Sequence, residues 1–208
     1  NLSRSEMMVM EMLSTNQWKR PMYFAASVGN DFHLGLDPYL ELTGLAYRIT
    51  DTRSPDGQPR VNTEVMYDNM MNKFKFGNVN KPGIYLDENT MRMCQTHRSM
   101  FVRLAEALCQ EGNEAEFWYN ENYEIEDSLA MIDKYEKALK VLDYAEEVLP
   151  AYNIPYDYYS IRMAELYCQL GKPDKGLPIF DALANRSVEY IRWIKSLDAK
   201  QRNKTRDT

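Results

Sequence analysis

The side chains of this sequence that suggest chemistry are aromatic rings set among carboxylates. Residues 111–133 carry eight acidic residues and no basic one, and Phe117, Trp118, Tyr119 and Tyr123 lie among them. Aromatic faces beside carboxylates suit sugar rings or cationic peptides. We therefore interpret Trp118, Tyr119 and Tyr123 as candidate binding residues. The alternative is that these rings hold their segment against the rest of the fold.

A second aromatic group surrounds Pro155. It consists of Tyr152, Tyr156, Tyr158 and Tyr159. Tyr156 and Tyr159 are the binding candidates here, because tyrosine combines a large apolar ring with a polar tip that suits interfaces. The alternative is that this group packs the connection in which it lies.

Signals of catalysis are weak. The two histidines are His33 and His97, and the sequence has no His-x-x-His or Cys-x-x-Cys pair, no glycine-rich phosphate loop and no Gly-x-Ser-x-Gly elbow. A glycan hydrolase would need two carboxyl groups roughly 5–9 Å apart in one cleft. Adjacent acids such as Glu146 and Glu147 point in different directions on a helix. We predict no catalytic residue, no metal and no cofactor, and keep a small carboxylate enzyme as one alternative.

Charge and hydropathy argue against two classes of function. The 208 residues include 25 basic and 31 acidic ones, a net charge of −6 that disfavours nucleic-acid binding. No stretch approaches the roughly 20 apolar residues of a membrane-spanning helix. Cys94, Cys109 and Cys168 are too few for a disulfide framework, so we expect them to be buried as small apolar residues. Because the first residue is Asn1, we expect a piece of a longer polypeptide.

An internal repeat organises the second half. Residues 103–112 and 162–171 are identical at six of ten positions, and residues 134–143 and 172–181 at four of ten. The second pair is separated by a shorter offset than the first, which predicts an insertion at 113–133 in the first unit. Each unit reads as helix, turn, helix, with a glycine at 112 or 171 in the left-handed conformation that ends a helix.

This pattern resembles the tetratricopeptide repeat, a helical hairpin with small and aromatic residues at set positions. The second unit matches at Ala164, Tyr167, Gly171, Gly176 and Phe180. If the insertion is allowed, the first unit matches at Ala105, Leu108, Gly112, Ala138, Leu142, Ala145 and Pro150. The second unit departs from the family at Gly176, where alanine is usual, and at Pro178, inside its second helix. We expect residues 187–197 to form a capping helix.

The first half predicts a small α/β part. We expect helices at 2–15, 62–74 and 87–110, strands at 21–28 and 44–50, and a short helix or turn at 36–42. We expect Met7, Met8, Met10 and Met12 to fill the core. The predicted fold is therefore mainly α, with a small α/β N-terminal part and tetratricopeptide-like hairpins. Its predicted divisions are an α/β subdomain at 1–86, a repeat subdomain at 87–197 with the insertion, and a polar tail at 198–208.

Four strings resemble the soluble C-terminal region of a large bacterial membrane-protein family. They are NQWKRPMYFA (16–25), GLAYR (44–48), VNTEVMYDNMMNKF (61–74) and YLDENTMRM (85–93). That family, long catalogued as a domain of unknown function, is similar to membrane-embedded glycosyltransferases of the protein O-mannosyltransferase type. A vertebrate relative mannosylates proteins. The resemblance covers about residues 1–185.

The resemblance implies a full-length glycosyltransferase with an N-terminal bundle of membrane helices, which holds the catalytic acid and binds a polyprenyl-phosphate sugar donor. This chain would be its non-catalytic accessory domain on the extracytoplasmic face, periplasmic in a two-membrane bacterium. Its partners would be an acceptor protein or peptide, a glycan, and the membrane domain of the same polypeptide. The alternatives are a free-standing tetratricopeptide-like scaffold that binds a partner protein, and a cytoplasmic location.

Overall fold

The structure is a computed structural model that describes residues 3–122 and 125–198. The chain is mainly helical with a small α/β N-terminal part, which confirms the predicted fold class. The elements in chain order are α1 (Arg4–Asn16), β1 (Tyr23–Ala25), β2 (Leu40–Leu42), β3 (Ala46–Ile49), β4 (Arg60–Val61), α2 (Thr63–Asp68), α3 (Glu88–Asn122), α4 (Ile125–Val148), α5 (Tyr159–Gln169) and α6 (Pro173–Ser196).

The four short strands form one sheet in the order β1-β3-β2-β4. β1 and β2 each pair antiparallel with β3, whereas β4 pairs parallel with β2. Leu40 lies opposite Ile49 and Leu42 opposite Tyr47, and all four side chains are buried. The short helix or turn predicted at 36–42 is wrong in its second half, because a 3₁₀ turn at Asp37–Tyr39 ends where β2 enters the sheet.

Helix α1 begins with a capping box. The Ser3 hydroxyl accepts a hydrogen bond from the Glu6 amide, and the Glu6 carboxylate accepts one from the Ser3 amide. The prediction that the methionines of this helix fill the core is wrong. Leu13 packs against the core, but the methionines are spread around the helix and each is at least half exposed, namely Met7, Met8, Met10 and Met12.

Helix α2 and the turn that follows it tie the sheet to the helical half. The predicted helix at 62–74 is observed as α2 followed by a π-helical turn at Asn69–Lys73. The Asn69 side chain donates to the Thr43 carbonyl at 2.7 Å. Gly44 has φ +142°, and a Cβ there would lie 3.0 Å from the Phe74 ring, so this turn requires glycine.

The second half consists of two helical hairpins, α3–α4 and α5–α6, and α5 also packs against α3. Gly171 ends α5 with φ +72°, as predicted. The prediction that Gly112 ends a helix is wrong, because α3 runs through it to Asn122. A Cβ at Gly112 would lie 2.5 Å from the Tyr135 ring, so glycine here permits the close approach of α4.

Two further helix boundaries differ from the predictions. The stretch predicted as an insertion, 113–133, lengthens α3 as far as Asn122 and α4 from Ile125 onward, and it contains no glycine or proline to end a helix. The prediction of a separate capping helix at 187–197 is wrong, because α6 is continuous from Pro173 to Ser196. No glycine or proline precedes residue 187 closely enough to end the helix there. Pro178 lies in the second turn of α6, and the helix continues past it.

One hydrophobic core joins the sheet to both hairpins. It includes Leu42 from β2, Met66 from α2, Leu104 from α3, Leu142 from α4, Tyr167 from α5 and Ile179 from α6. The division at residue 86 stays a prediction, and residues 199–208 of the predicted polar tail lie outside the described residues. Across the described chain, no helix is both long and apolar enough to cross a membrane.

Candidate functional site

The outer ends of α3 and α4 form a projecting arm, which we define as residues 113–122 and 125–137. None of residues 113–121 and 126–137 is buried, whereas Gly112, which precedes the arm on α3, is buried. Ala138, which flanks the arm on α4, is fully buried. The buried core of the two helices therefore ends near these residues, and beyond them the arm extends away from the body of the fold.

Aromatic and apolar side chains are exposed on the arm. Phe117 and Trp118 are 57% and 55% exposed, and their rings meet edge to face with centroids 5.5 Å apart. Leu129 on α4 is also exposed. Tyr119 is half-buried, whereas Tyr123 lies outside the described residues. Of the binding candidates on the arm, Trp118 is thus the one whose side chain the structure shows more than half exposed.

A polar cluster fixes the base of the arm. The Tyr135 hydroxyl lies within donating distance of Asn113 Oδ1 (2.7 Å) and Glu116 Oε2 (3.0 Å). Lys134 pairs with Glu111 at 2.5 Å. Burial, together with the hydrogen bond to Glu116, raises the pKa of Tyr135 to about 12. These contacts set the register of α4 on α3 and so position the aromatic pair beyond them.

The arm is strongly acidic. Residues 113–137 carry eight acidic and two basic residues. Both bases are paired with carboxylates, Lys134 with Glu111 and Lys137 with Asp133. The exposed rings are therefore surrounded by negative charge, which favours a cationic or mixed cationic and apolar ligand.

Tyr156, the third described candidate, takes part in a packed network around a buried arginine. Arg98 on α3 is fully buried, and its guanidinium donates to the carbonyls of Leu149 (2.8 Å), Ile154 (2.6 Å) and Pro155 (3.0 Å). The guanidinium also lies 5.4 Å from the centre of the Tyr156 ring. The arginine thereby fastens the connection between α4 and α5 to the first third of α3.

Further contacts of Tyr156 support a packing role. Its hydroxyl donates to Glu146 Oε2 at 2.7 Å, and burial together with that carboxylate raises the pKa of Tyr156. Tyr159 is more than half exposed, with its ring edge-on to Tyr158. Trp118 lies well along α3 from Arg98, about 30 Å at the rise of an α-helix. The structure therefore does not bring the two predicted aromatic groups into one site.

The sequence predictions missed a cleft between α4, α5 and α6. It encloses about 520 Å³ and is lined by Asp143, Glu146, Tyr167, Lys175 and Ile179. Lys175 Nζ and the Tyr167 hydroxyl donate to Asp143 Oδ1 at 2.6 and 3.0 Å. Asp143 and Glu146 are three residues apart on a helix and so share a face, a spacing that the sequence already contained.

The two carboxylates of this cleft differ in environment, and Glu146 is the more enclosed by its partners. Among the described residues, its Oε1 atom is buried without a hydrogen-bond partner, while Oε2 accepts from Tyr156. Burial raises the pKa of Glu146, and the Tyr156 hydroxyl and Arg98 oppose that rise. The cleft therefore holds one carboxylate paired with a lysine and a second one whose charged form is disfavoured.

The histidines and acidic residues do not assemble a metal site in the described part of the chain, where no group of three or more potential ligands converges. His33 is buried between Phe24 and Tyr47, with Nδ1 2.8 Å from Asp37. His97 packs edge-on against Phe76, and burial lowers its pKa. Both histidines therefore serve the packing of the fold.

Comparison with known families places a match in the N-terminal part of the chain. Residues 1–69 match the model of a family described as TMEM260-associated domain 2, a domain linked to a membrane-protein family. No curated protein and no solved structure matches the chain. The matched residues comprise α1, the sheet and α2, and exclude the arm. The match is compatible with an accessory domain of a membrane protein.

Proposed function

We propose that this chain is a non-catalytic accessory domain of a membrane-embedded glycosyltransferase of the protein O-mannosyltransferase type. It would lie on the extracytoplasmic face and recognise the acceptor protein through the arm. The exposed Phe117–Trp118 pair on an acidic projection carries this proposal. The match at residues 1–69 supports attachment to a membrane protein. In this proposal the two hairpins are tetratricopeptide-like units, and the N-terminal part braces the membrane domain.

The chemistry of the arm selects the kind of acceptor. A Lys or Arg side chain laid over the Trp118 ring would gain a cation–π contact and the field of the nearby carboxylates. Phe117 would contact a neighbouring apolar side chain of the acceptor. Exposed tryptophans of this kind dominate the binding energy of many interfaces. The proposed acceptor segment is therefore extended, basic and partly apolar.

The test is peptide binding to the 208-residue chain. The probe is a fluorescent peptide with the repeated unit Gly-Arg-Phe-Ser, and the comparison peptide has Glu in place of Arg. We expect the basic peptide to bind more tightly, and Trp118→Ala to weaken its binding about tenfold or more, the effect of a typical hot-spot residue. Because Trp118 is exposed, the midpoint of thermal unfolding should not change.

Trp18→Ala is the matched control, since Trp18 is also an exposed tryptophan but lies outside the arm. It should leave peptide affinity unchanged. Equal binding of the two peptides, or equal loss of affinity in both tryptophan variants, would contradict recognition by the arm. A large loss of stability in Trp118→Ala would instead favour packing.

The attachment and the absence of catalysis are tested separately. An antibody against this chain, used on fractionated source cells, should detect a membrane-bound product several times larger than the 24.4 kDa of the chain itself. A product of the chain's own size in the cytosolic or periplasmic fraction would favour the free-standing scaffold. The purified chain should transfer no mannose from a polyprenyl-phosphate donor to protein, and measurable transfer would overturn the non-catalytic assignment.

The cleft favours a second candidate, hydrolysis of a glycosidic bond by two carboxyl groups. Glu146, with its raised pKa, would be the acid and Asp143 the second carboxylate. Against it, Asp143 already accepts two hydrogen bonds, and Glu146 is engaged by Tyr156. Chromogenic glycosides test it directly. Hydrolysis that is lost in both Glu146→Gln and Asp143→Asn would establish this activity, and its absence from the native chain would remove it.

A further inference from the structure

Helix α6 is much longer than the helix it packs against. α5 has 11 residues and α6 has 24. Arg186 donates to the Tyr156 carbonyl at 2.6 Å, three residues before α5 begins at Tyr159, and so marks the level of the first residue of α5. Residues 187–196, which we name the α6 extension, continue about 15 Å beyond that level.

The α6 extension is amphipathic. At about 100° per residue, Tyr190, Ile191, Trp193 and Ile194 fall within an arc of about 160°. Tyr190, Ile191 and Trp193 are 53%, 51% and 47% exposed, and the Tyr190 and Trp193 rings lie 5.6 Å apart. By the same geometry Arg192 lies opposite the centre of this arc, and Lys195 lies just beyond its edge at Ile191. This apolar face continues the stripe that α6 uses to pack on α5, but without burial.

The charge of this end of the chain is opposite to that of the rest. Residues 186–208 hold seven of the 25 basic residues and three of the 31 acidic ones, a net charge of +4. Residues 1–185 therefore carry a net charge of −10. An anionic surface would attract residues 186–208 and repel residues 1–185, so the C-terminal end of this sequence would make the contact.

We propose that the α6 extension docks on the surface of an anionic lipid bilayer. Trp193 and Tyr190 have the apolar body and polar tip that suit the headgroup region, and Ile191 and Ile194 reach the acyl boundary beside them. Lys195 extends its charged end toward lipid phosphates beside this face, and Arg192 adds positive charge to the docked segment. A second copy of this chain is a poorer occupant, because a symmetric contact would bring two basic extensions together.

Vesicle binding tests the proposal on the 208-residue chain. The probes are vesicles of pure phosphatidylcholine and vesicles of phosphatidylcholine and phosphatidylglycerol mixed two to one, at physiological salt. We expect co-sedimentation with the anionic vesicles, weakened about 30-fold or more by Arg192→Glu combined with Lys195→Glu. Ile191→Ser should also weaken it, whereas Leu177→Ser, an equally exposed apolar residue of α6 outside the extension, should not.

Trp193 reports the depth of docking. Trp18→Phe with Trp118→Phe leaves Trp193 as the single tryptophan of the chain, and both changes are at exposed residues. Its emission should shift to the blue on anionic vesicles and be quenched by brominated lipid. No co-sedimentation, an unchanged emission, or equal binding by the charge-reversed variant would overturn the proposal. A dimer in sedimentation equilibrium that Ile191→Ser dissociates would assign the face to a second copy instead.

Discussion

The buried guanidinium of Arg98 gives the most demanding test of this structure. Arg98→Met keeps an unbranched apolar stem of similar reach but removes the donors to Leu149, Ile154 and Pro155. Each of these carbonyls would lose a charge-assisted hydrogen bond, which is worth about 1.5–3 kcal/mol. The desolvation of the guanidinium, which lowers the pKa of Arg98, is recovered in the variant and offsets part of that loss.

We expect Arg98→Met to lower the free energy of unfolding by about 3–5 kcal/mol, the usual cost of removing one partner from a buried charged cluster. Denaturant unfolding at pH 7 measures it, through the midpoint and slope of the transition. Arg92→Met is the matched control on the same helix. Arg92 is exposed and pairs with an exposed carboxylate, Glu88, so its loss should change stability by less than about 1 kcal/mol.

The loss at Arg98 should also depend on pH. Glu146 and Asp157 lie close enough to favour the charged guanidinium, so its removal leaves their negative charge uncompensated. Burial raises the pKa of Glu146, so lowering the pH neutralises that carboxylate, and the destabilisation by Arg98→Met should therefore be smaller at pH 4 than at pH 7. A loss below about 1 kcal/mol at pH 7, equal to that of the Arg92 control, would refute the structural role assigned to this network.

Three further outcomes follow from the packing of the helices. Gly176→Ala should destabilise by about 1–3 kcal/mol in thermal unfolding, despite the higher helix propensity of alanine, because the new Cβ would meet the Ala164 carbonyl oxygen at 2.6 Å; a stabilised variant would contradict this contact. The pKa of Glu146 is raised in the folded state, so the stability that its protonation contributes is present below pH 4.5 and lost as pH rises through the folded pKa. Between pH 4 and 7, the free energy of unfolding measured in urea should decline in the native chain and decline less steeply in Glu146→Gln. Parallel profiles in the two proteins would contradict the raised pKa of Glu146. Burial raises the pKa of the Cys109 thiol to about 11, so Ellman's reagent at pH 8 should label the less buried Cys168 first, and Cys109 should react at the rate of unfolding; equal rates would show that Cys109 is accessible.

The pairing of the helices could be predicted from the sequence, because the sequence repeats small residues at the positions where two helices approach closely. Ala105 and Ala164 are both fully buried, and Gly171 ends α5 in the expected conformation. Gly112 occupies the equivalent position of the repeat yet lies inside a helix. Local sequence could not reveal this, because the requirement for glycine there comes from the Tyr135 ring of the neighbouring helix.

The shortest elements were the hardest to predict. β4 has two residues and β2 has three, too few for the alternation of apolar and polar residues to be distinctive. Both owe their existence to pairing within the sheet, which depends on distant residues. The prediction that the methionines of α1 are buried is wrong for a related reason. Composition predicts that a helix is apolar, but it does not predict which neighbouring elements are available to cover it.

The candidate binding residues were predictable to the extent that their chemistry is local. Trp118 was predicted from an aromatic ring among acids, and the structure exposes it. Tyr156 offers the same combination of ring and polar tip, but its hydroxyl contacts Glu146 on α4 and its ring contacts Arg98 on α3. The residues next to Trp118 and Tyr156 in the sequence do not reveal which ring is exposed, because that depends on the helices that the fold packs around each ring.

The proposed sites on the arm and on the α6 extension should act independently. Arg98 and Arg186 both contact the connection between α4 and α5, so the base of the extension lies near the first third of α3. Trp118 is about 30 Å further along that helix, several times the Debye length of about 8 Å at physiological salt. A charge reversal at one site therefore leaves the potential at the other nearly unchanged. In a variant that combines substitutions at both sites, peptide affinity should fall as much as in the arm variant alone and vesicle affinity as much as in the extension variant alone. A further change in either affinity would mean that bilayer and acceptor meet the same surface.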